Sequence, residues 1–116
     1  MGFFDANRLK RRTILPGIKM GSVHLKHLML THFTFEAGSA VPDHAHLNEQ
    51  ITLIISGELE FTLNGETRIV RAGEGATVPS NTTHRVRAIT DVVAVDCWHP
   101  VREDYIIPDD PSQPAI

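Results

Sequence analysis

Between residues 21 and 99 the chain alternates apolar and polar positions with a period of two, and Gly, Pro or Asn interrupts it every few residues. This feature restricts the fold most. Successive side chains of an extended strand point to opposite faces, so a period of two implies strands with one buried face. Leu59, Phe61 and Leu63 alternate with Glu58, Glu60 and Thr62. Val92, Ala94, Asp96 and Trp98 would share one face of a late strand, and Val93, Val95 and Cys97 the other. Asn64-Gly65 lies between Phe61-Thr62-Leu63 and Thr67-Arg68-Ile69-Val70 and predicts a hairpin, because both residues tolerate positive φ. Gly38, Gly57, Gly73 and Gly75 mark further turns. Pro42 and Pro79 read as strand starts, where a missing N–H costs least. No segment of this span carries a helical period with caps. Short, evenly spaced strands without helices imply an all-β domain, either a closed barrel or a double-sheet jelly roll.

The 116 residues suffice for one domain with a modest core. Residues 1–20, with the basic run Arg8-Leu9-Lys10-Arg11-Arg12, read as a solvated arm or an edge strand. Residues 21–99 form the barrel. Residues 100–116 contain Pro108, Asp109, Asp110, Pro111 and Pro114 and read as a tail lying over its surface. A net charge of -3 gives no reason to look for a nucleic-acid partner. The longest apolar runs, such as Ile51 to Ile55, fall well short of the roughly 20 residues a spanning helix needs, so no membrane partner is expected. Cys97 is the single cysteine, which excludes an intramolecular disulfide and suits a reducing compartment. With no secretion signal and no myristoylation pattern at the start, the expected location is cytoplasmic.

Seven histidines are many for this length. His44 and His46 are one residue apart, and on a strand such a pair points to one side, where two imidazoles can reach one ion at about 2.0–2.2 Å. Continuing the even-numbered face reaches Asn48 and Gln50, whose amide oxygen could join them, while Glu49 would point away. His84 follows a turn over Pro79-Ser80-Asn81-Thr82-Thr83 and precedes a strand over Arg85 to Ala88. His24, His27, His32 and His99 read as ordinary core or surface residues.

These residues carry a resemblance. Gly38, five residues, His44-x-His46, three residues, Gln50, six residues and Gly57 are similar to the first motif of the cupin superfamily, with Gln in place of its Glu. Gly73, five residues, Pro79-x-Asn81, two residues and His84 are similar to the second motif, with Asn81 in place of its Gly and Ala88 in place of its trailing Asn. The resemblance implies a single-domain cupin β-barrel, a double-stranded jelly roll, with a divalent metal held by His44, His46, Gln50 and His84. Nitrogen and oxygen donors of this kind suit Zn, Ni, Fe, Mn or Co about equally. Four neutral ligands leave the ion's +2 charge uncompensated. Such an ion should attract an anionic substrate and act as a Lewis acid, and is less suited to stabilising a higher oxidation state. That favours isomerisation or elimination over oxygenase chemistry.

The last strand ends Asp96-Cys97-Trp98-His99-Pro100-Val101-Arg102-Glu103-Asp104-Tyr105. An inward Asp96 against an apolar wall would have a raised pKa suited to acid–base work. Trp98 could cover a sugar ring, and Arg102 could clamp a carboxylate. Taken without the metal motif, the same three read as a solvent-facing or Arg-paired Asp, a core or lid Trp and a solvated turn. The segment resembles the C-terminal strand of a narrower cupin group, the KdgF-type pectin degradation proteins, in which Trp98 (often Phe) and His99 are departures. That resemblance implies linearisation of 4,5-unsaturated uronates to 5-keto-4-deoxyuronate, a small anionic sugar substrate, a homodimer paired through the N-terminal strand, and catalytic or substrate-binding roles for Asp96, Trp98 and Arg102. The same scaffold could instead carry a metal-dependent dioxygenase, another sugar isomerase or a non-catalytic small-ligand-binding protein.

Overall fold

The computed structural model describes residues 2–112. Ten strands follow one another: β1 (Arg12–Leu15), β2 (Ile18–His24), β3 (Met29–Phe35), β4 (Ala40–His44), β5 (Glu49–Ser56), β6 (Glu58–Leu63), β7 (Glu66–Arg71), β8 (Gly75–Val78), β9 (His84–Ala88) and β10 (Val92–His99). A single 3₁₀ turn, Glu103–Tyr105, comes after them. The strands pair antiparallel into a six-stranded sheet, β1-β2-β3-β10-β5-β8, and a four-stranded sheet, β4-β9-β6-β7. This is the all-β double-sheet arrangement expected from the alternation.

The periodicity places the core. Along β5 and β10 buried and more accessible residues alternate, so Gln50, Thr52 and Ile54 face inward together with Val92, Ala94, Asp96 and Trp98. Ile51, Leu53 and Ile55 take the outer face of β5 and remain exposed. Ile18, Met20, Phe33, Phe35, Leu59 and Phe61 complete the main apolar cluster between the sheets. Burying a side chain of this size contributes about 1.5–3 kcal/mol.

The turns follow from residues that accept unusual backbone angles. Asn64 and Gly65 have φ of 48° and 85° and close the β6–β7 hairpin, as the sequence predicts. Asn81, where the motif has Gly, has φ of 59°, a left-handed conformation that Asn tolerates better than most residues. Gly57 combines a φ of 88° with close approach: a Cβ there would lie 2.0 Å from the Asp91 carbonyl oxygen.

Two local expectations are corrected. Pro42 does not start a strand. It lies inside β4, at the edge of its sheet, where the register with β9 slips by one residue between Val41 and His44. An edge bulge is where a strand proline does least harm. Pro79 follows β8 and opens the turn to β9. Of the two readings of the basic run, the edge strand is found at its end, where Arg12 opens β1 at the edge of the six-stranded sheet. Leu9 within the run is 3% exposed, and the Arg11 guanidinium donates to the His32 carbonyl at 2.6 Å and to His32 Nδ1 at 2.7 Å.

After β10, the Ser22 hydroxyl donates to the Tyr105 carbonyl, Arg12 donates to the Asp104 carbonyl, and Ile107 is buried. Residues 113–116 lie outside the described part of the chain. No helix among the described residues is long and apolar enough to cross a membrane.

Candidate metal centre

Three histidines meet at one end of the space between the sheets. His44 ends β4 and His84 opens β9, and the two are direct partners in the register. His46 lies beyond the end of β4, in the connection that carries the chain from the four-stranded sheet to the six-stranded one. Gln50 then enters from β5. One continuous strand therefore does not align the even-numbered residues. The crossover folds around a common point instead. Asn48 is not part of the cluster: its amide donates to the Pro100 carbonyl at 2.6 Å.

Each imidazole is held the same way. Nδ1 of His44, His46 and His84 lies 2.9, 2.9 and 2.8 Å from the carbonyl oxygens of Pro42, Asn48 and Thr82. A carbonyl only accepts, so each Nδ1 carries the proton and each Nε2 presents a lone pair. Metal-binding histidines are typically oriented this way by a bond through the other ring nitrogen. The candidate ligand atoms of the three rings lie within 4.8 Å of one another, a spacing one ion can bridge. Nε2 of His84 is buried with no hydrogen-bond partner. Burial lowers the pKa of His46 and takes that of His84 down to about 4, so both stay neutral and ready to ligate at neutral pH.

Gln50 adds an oxygen. Its Oε1 stands 3.1 Å from His46 Nε2, and its Nε2 donates to Thr52 Oγ1 at 2.8 Å. With the proton of His46 on Nδ1, the 3.1 Å contact places two electron-rich atoms face to face, an arrangement a cation between them would relieve. The donor set therefore fits a divalent transition ion. The three histidines are positioned to bind one.

The second constellation adjoins the first. In the β5–β10 register Trp98 faces Gln50 and Asp96 faces Thr52. All four are at most 7% exposed. Gln50, Thr52, Asp96 and Trp98 line one cavity together with His44 and His84. One Asp96 oxygen, Oδ1, is buried without a hydrogen-bond partner. Desolvation raises the Asp96 pKa to about 7, although Thr52, Gln50 and the Arg102 charge pull the other way. Of the two readings of Asp96, the inward carboxyl is the one found.

Trp98 is a wall of this space. Its Nε1 donates to Thr31 Oγ1 at 2.9 Å and its ring meets that of His46 edge-on at 5.3 Å. Arg102 stacks on Trp98 at 5.0 Å and on Tyr105 at 3.8 Å. Its Nε and Nη2 donate to the Asp104 carboxylate at 3.3 and 2.7 Å. It is therefore not a solvated turn residue, and its charge reaches His46, His84 and Asp96.

Thr52, Thr31 and Tyr105 were not singled out by the sequence. Thr52 shares the parity of Gln50, so the alternation contained the signal. Nothing local marks Thr31, whose partner is 67 residues away. The remaining histidines stand apart from the cluster. His32 is taken up by Arg11, and His27 and His99 are exposed.

Comparison with known proteins agrees with this geometry. The cupin domain family model matches residues 31–98, more than half of the chain. The pectin degradation protein KdgF of Dickeya dadantii (strain 3937) is 28% identical over 81 residues, 68% of this chain and 74% of that protein. The structure of KdgF from a Halomonas species superposes with a TM-score of 0.86 at 28% identity, covering 91% of this chain and 99% of that one. An RmlC-like cupin from Shewanella frigidimarina NCIMB 400 gives 0.85 at 25% identity, covering 90% and 95%. The chain, a double sheet with three converging imidazoles, belongs to the cupin family and is similar to its KdgF proteins.

Proposed function

We propose that this protein is a metal-dependent enzyme that opens the ring of a 4,5-unsaturated monouronate to give 5-keto-4-deoxyuronate. The observation that carries the reading is the Asp96 carboxyl group. It is buried in the cavity whose wall also presents His44, His84 and Gln50, and its pKa is raised to about 7. A carboxyl group with that pKa exists in both protonation states at neutral pH and can both take and return a proton. The similarity to KdgF proteins, one of them named for pectin degradation, supports a sugar acid as substrate.

A divalent ion on the imidazoles supplies, when bound, a Lewis acid that favours negative charge on a substrate oxygen. The chain's own groups do the rest. Asp96 takes the proton of the anomeric hydroxyl. The bond between C1 and the ring oxygen breaks, leaving an aldehyde at C1 and an enolate at C5. Asp96 returns the proton to C4 as the enolate becomes the 5-keto form, so the atoms balance as an isomerisation. Trp98 holds one side of the ring and keeps water away. Asp104 occupies the Nε–Nη2 edge of Arg102, and the remaining Nη1 meets the substrate carboxylate.

Metal-loaded protein mixed with freshly lyase-generated unsaturated uronate should accelerate the loss of absorbance from the conjugated C4–C5 double bond. A rate equal to buffer removes the assignment. Oxygen uptake with Fe(II) in its place would identify a dioxygenase.

A further inference from the structure

A side-chain amide binds a metal through its oxygen and is useless to it through its nitrogen, yet the two ends have almost the same shape. Something must fix which end of Gln50 faces the histidines. Thr52 is two residues along the same strand, on the same inward face and 4% exposed. The Gln50 Nε2 donates to Thr52 Oγ1 at 2.8 Å. The Gln50 Oε1 at the other end of the amide is the atom 3.1 Å from His46 Nε2.

We infer that Thr52 is a positioning residue that turns the oxygen of Gln50 towards the three-histidine cluster. The inference rests on the metal-site reading of that cluster. A hydroxyl has one proton and two lone pairs. Across the β5–β10 register Thr52 faces Asp96, and its hydroxyl acts on the Asp96 carboxyl group as a hydrogen-bond donor. With its proton directed to a carboxylate, Thr52 can only accept from the amide, so it selects the NH₂ end and leaves the oxygen for the ion. Gln50 also acts on Asp96 directly as a hydrogen-bond donor, which only the NH₂ end of its amide can do, so the same end is held on both sides. A hydroxyl acting behind the ligands thereby sets the donor set, as outer partners of metal ligands commonly do.

The test measures metal, not turnover. Zn²⁺ affinity by chelator competition and the visible spectrum of the Co²⁺-loaded protein are compared in the parent, Thr52→Val, Thr52→Ser and Gln50→Ala. Thr52→Val keeps the shape and removes the hydroxyl. It should weaken Zn²⁺ binding by about tenfold or more, and its Co²⁺ spectrum should move to that of Gln50→Ala. Thr52→Ser should restore both the affinity and the spectrum. Adding Thr52→Val to Gln50→Ala should cost nothing further, because Thr52 acts through Gln50. Parental affinity and spectrum in Thr52→Val, or a loss that simply adds to that of Gln50→Ala, would overturn the inference. Thermal melting of the metal-free forms reports folding, and Thr52→Ala serves if the valine variant does not fold. A parent that binds neither ion overturns the metal-site reading itself and this inference with it, a result distinct from the variant failing alone.

Discussion

His44 and His84 stand directly opposite each other across the β4–β9 pairing, with ring centroids 4.1 Å apart. Both present an unprotonated Nε2 to the same space, because both spend Nδ1–H on a carbonyl. Removing one should cost more than an outer partner does, on the order of 100-fold or more in divalent-metal affinity. His84→Gln is the sharper test, because His84 is 2% exposed and its Nε2 has no other partner. Chelator competition with Zn²⁺ or Ni²⁺ measures the effect. His99→Ala, at an exposed position away from the cluster, should bind as the parent does.

Gln50 is where this chain departs from the carboxylate of the first cupin motif. Gln50→Glu would neutralise one unit of the ion's charge and should tighten metal binding by about tenfold, equivalent to about 1.4 kcal/mol. The same change should slow uronate ring opening, because a less positive ion polarises oxygen less. Tighter binding accompanied by faster turnover would show that the amide is not there for its neutrality. Metal affinity and initial rate, measured on the same preparation, decide it.

Asp96→Asn keeps the size of the side chain and removes its proton chemistry. General acid–base catalysis contributes roughly 10²–10⁴-fold, and the variant should lose about that much in kcat. Metal content should be unchanged, because Asp96 is not among the candidate ligands. Full activity would remove Asp96 from the mechanism even if the reaction itself is right.

Arg102 should act on substrate binding. A charge-assisted hydrogen bond contributes roughly 1.5–3 kcal/mol, so Arg102→Ala should raise KM by about tenfold to a hundredfold. Arg102→Lys should recover only part of this. An ammonium group cannot lie flat between Trp98 and Tyr105 while holding Asp104 by two donors. A neutral substrate analogue lacking the carboxylate should not distinguish the variants.

The strands and their inward faces could be read directly because a period of two has only one structural solution once one face must be buried. In the last strand, however, the alternation put Asp96 and Trp98 on one face of β10 without saying that this face is the inward one, and Gln50 reaches the site from β5, not along a strand continued from His44. The route by which His46 joins the cluster could not be read that way. His44 and His46 suggest a single strand, whereas β4 ends at His44 and the chain crosses between sheets before Gln50. The bulge at Pro42, the Arg11–His32 contact and the Trp98–Thr31 bond depend on pairings between distant segments, which local periodicity does not encode. The spacing of the two motifs compensated for this in the case of His84, since it had to match a site whose geometry the local pattern does not reveal.

Asp96 and His84 make opposing contributions to the stability of the metal-free protein. The pKa of His84 falls from 6.5 to about 4 on folding, so its contribution is complete above pH 6.5 and is lost as pH falls through 4. The pKa of Asp96 rises from 3.8 to about 7, so its contribution is complete below 3.8 and is lost as pH rises through 7. In the interval between 4 and 6.5 the unfolded chain holds the proton of His84 and the folded chain that of Asp96, and the two slopes cancel. Asp96→Asn removes one of them. Relative to the parent, the metal-free variant should gain stability steadily as pH rises from about 4 to about 7, at up to about 1.4 kcal/mol per pH unit. Urea midpoints of the two proteins at several pH values, in the presence of a chelator, give the difference directly. A difference that stays constant across this range would mean that Asp96 titrates alike in the folded and unfolded chains, and would remove the buried acid on which the proposed chemistry depends.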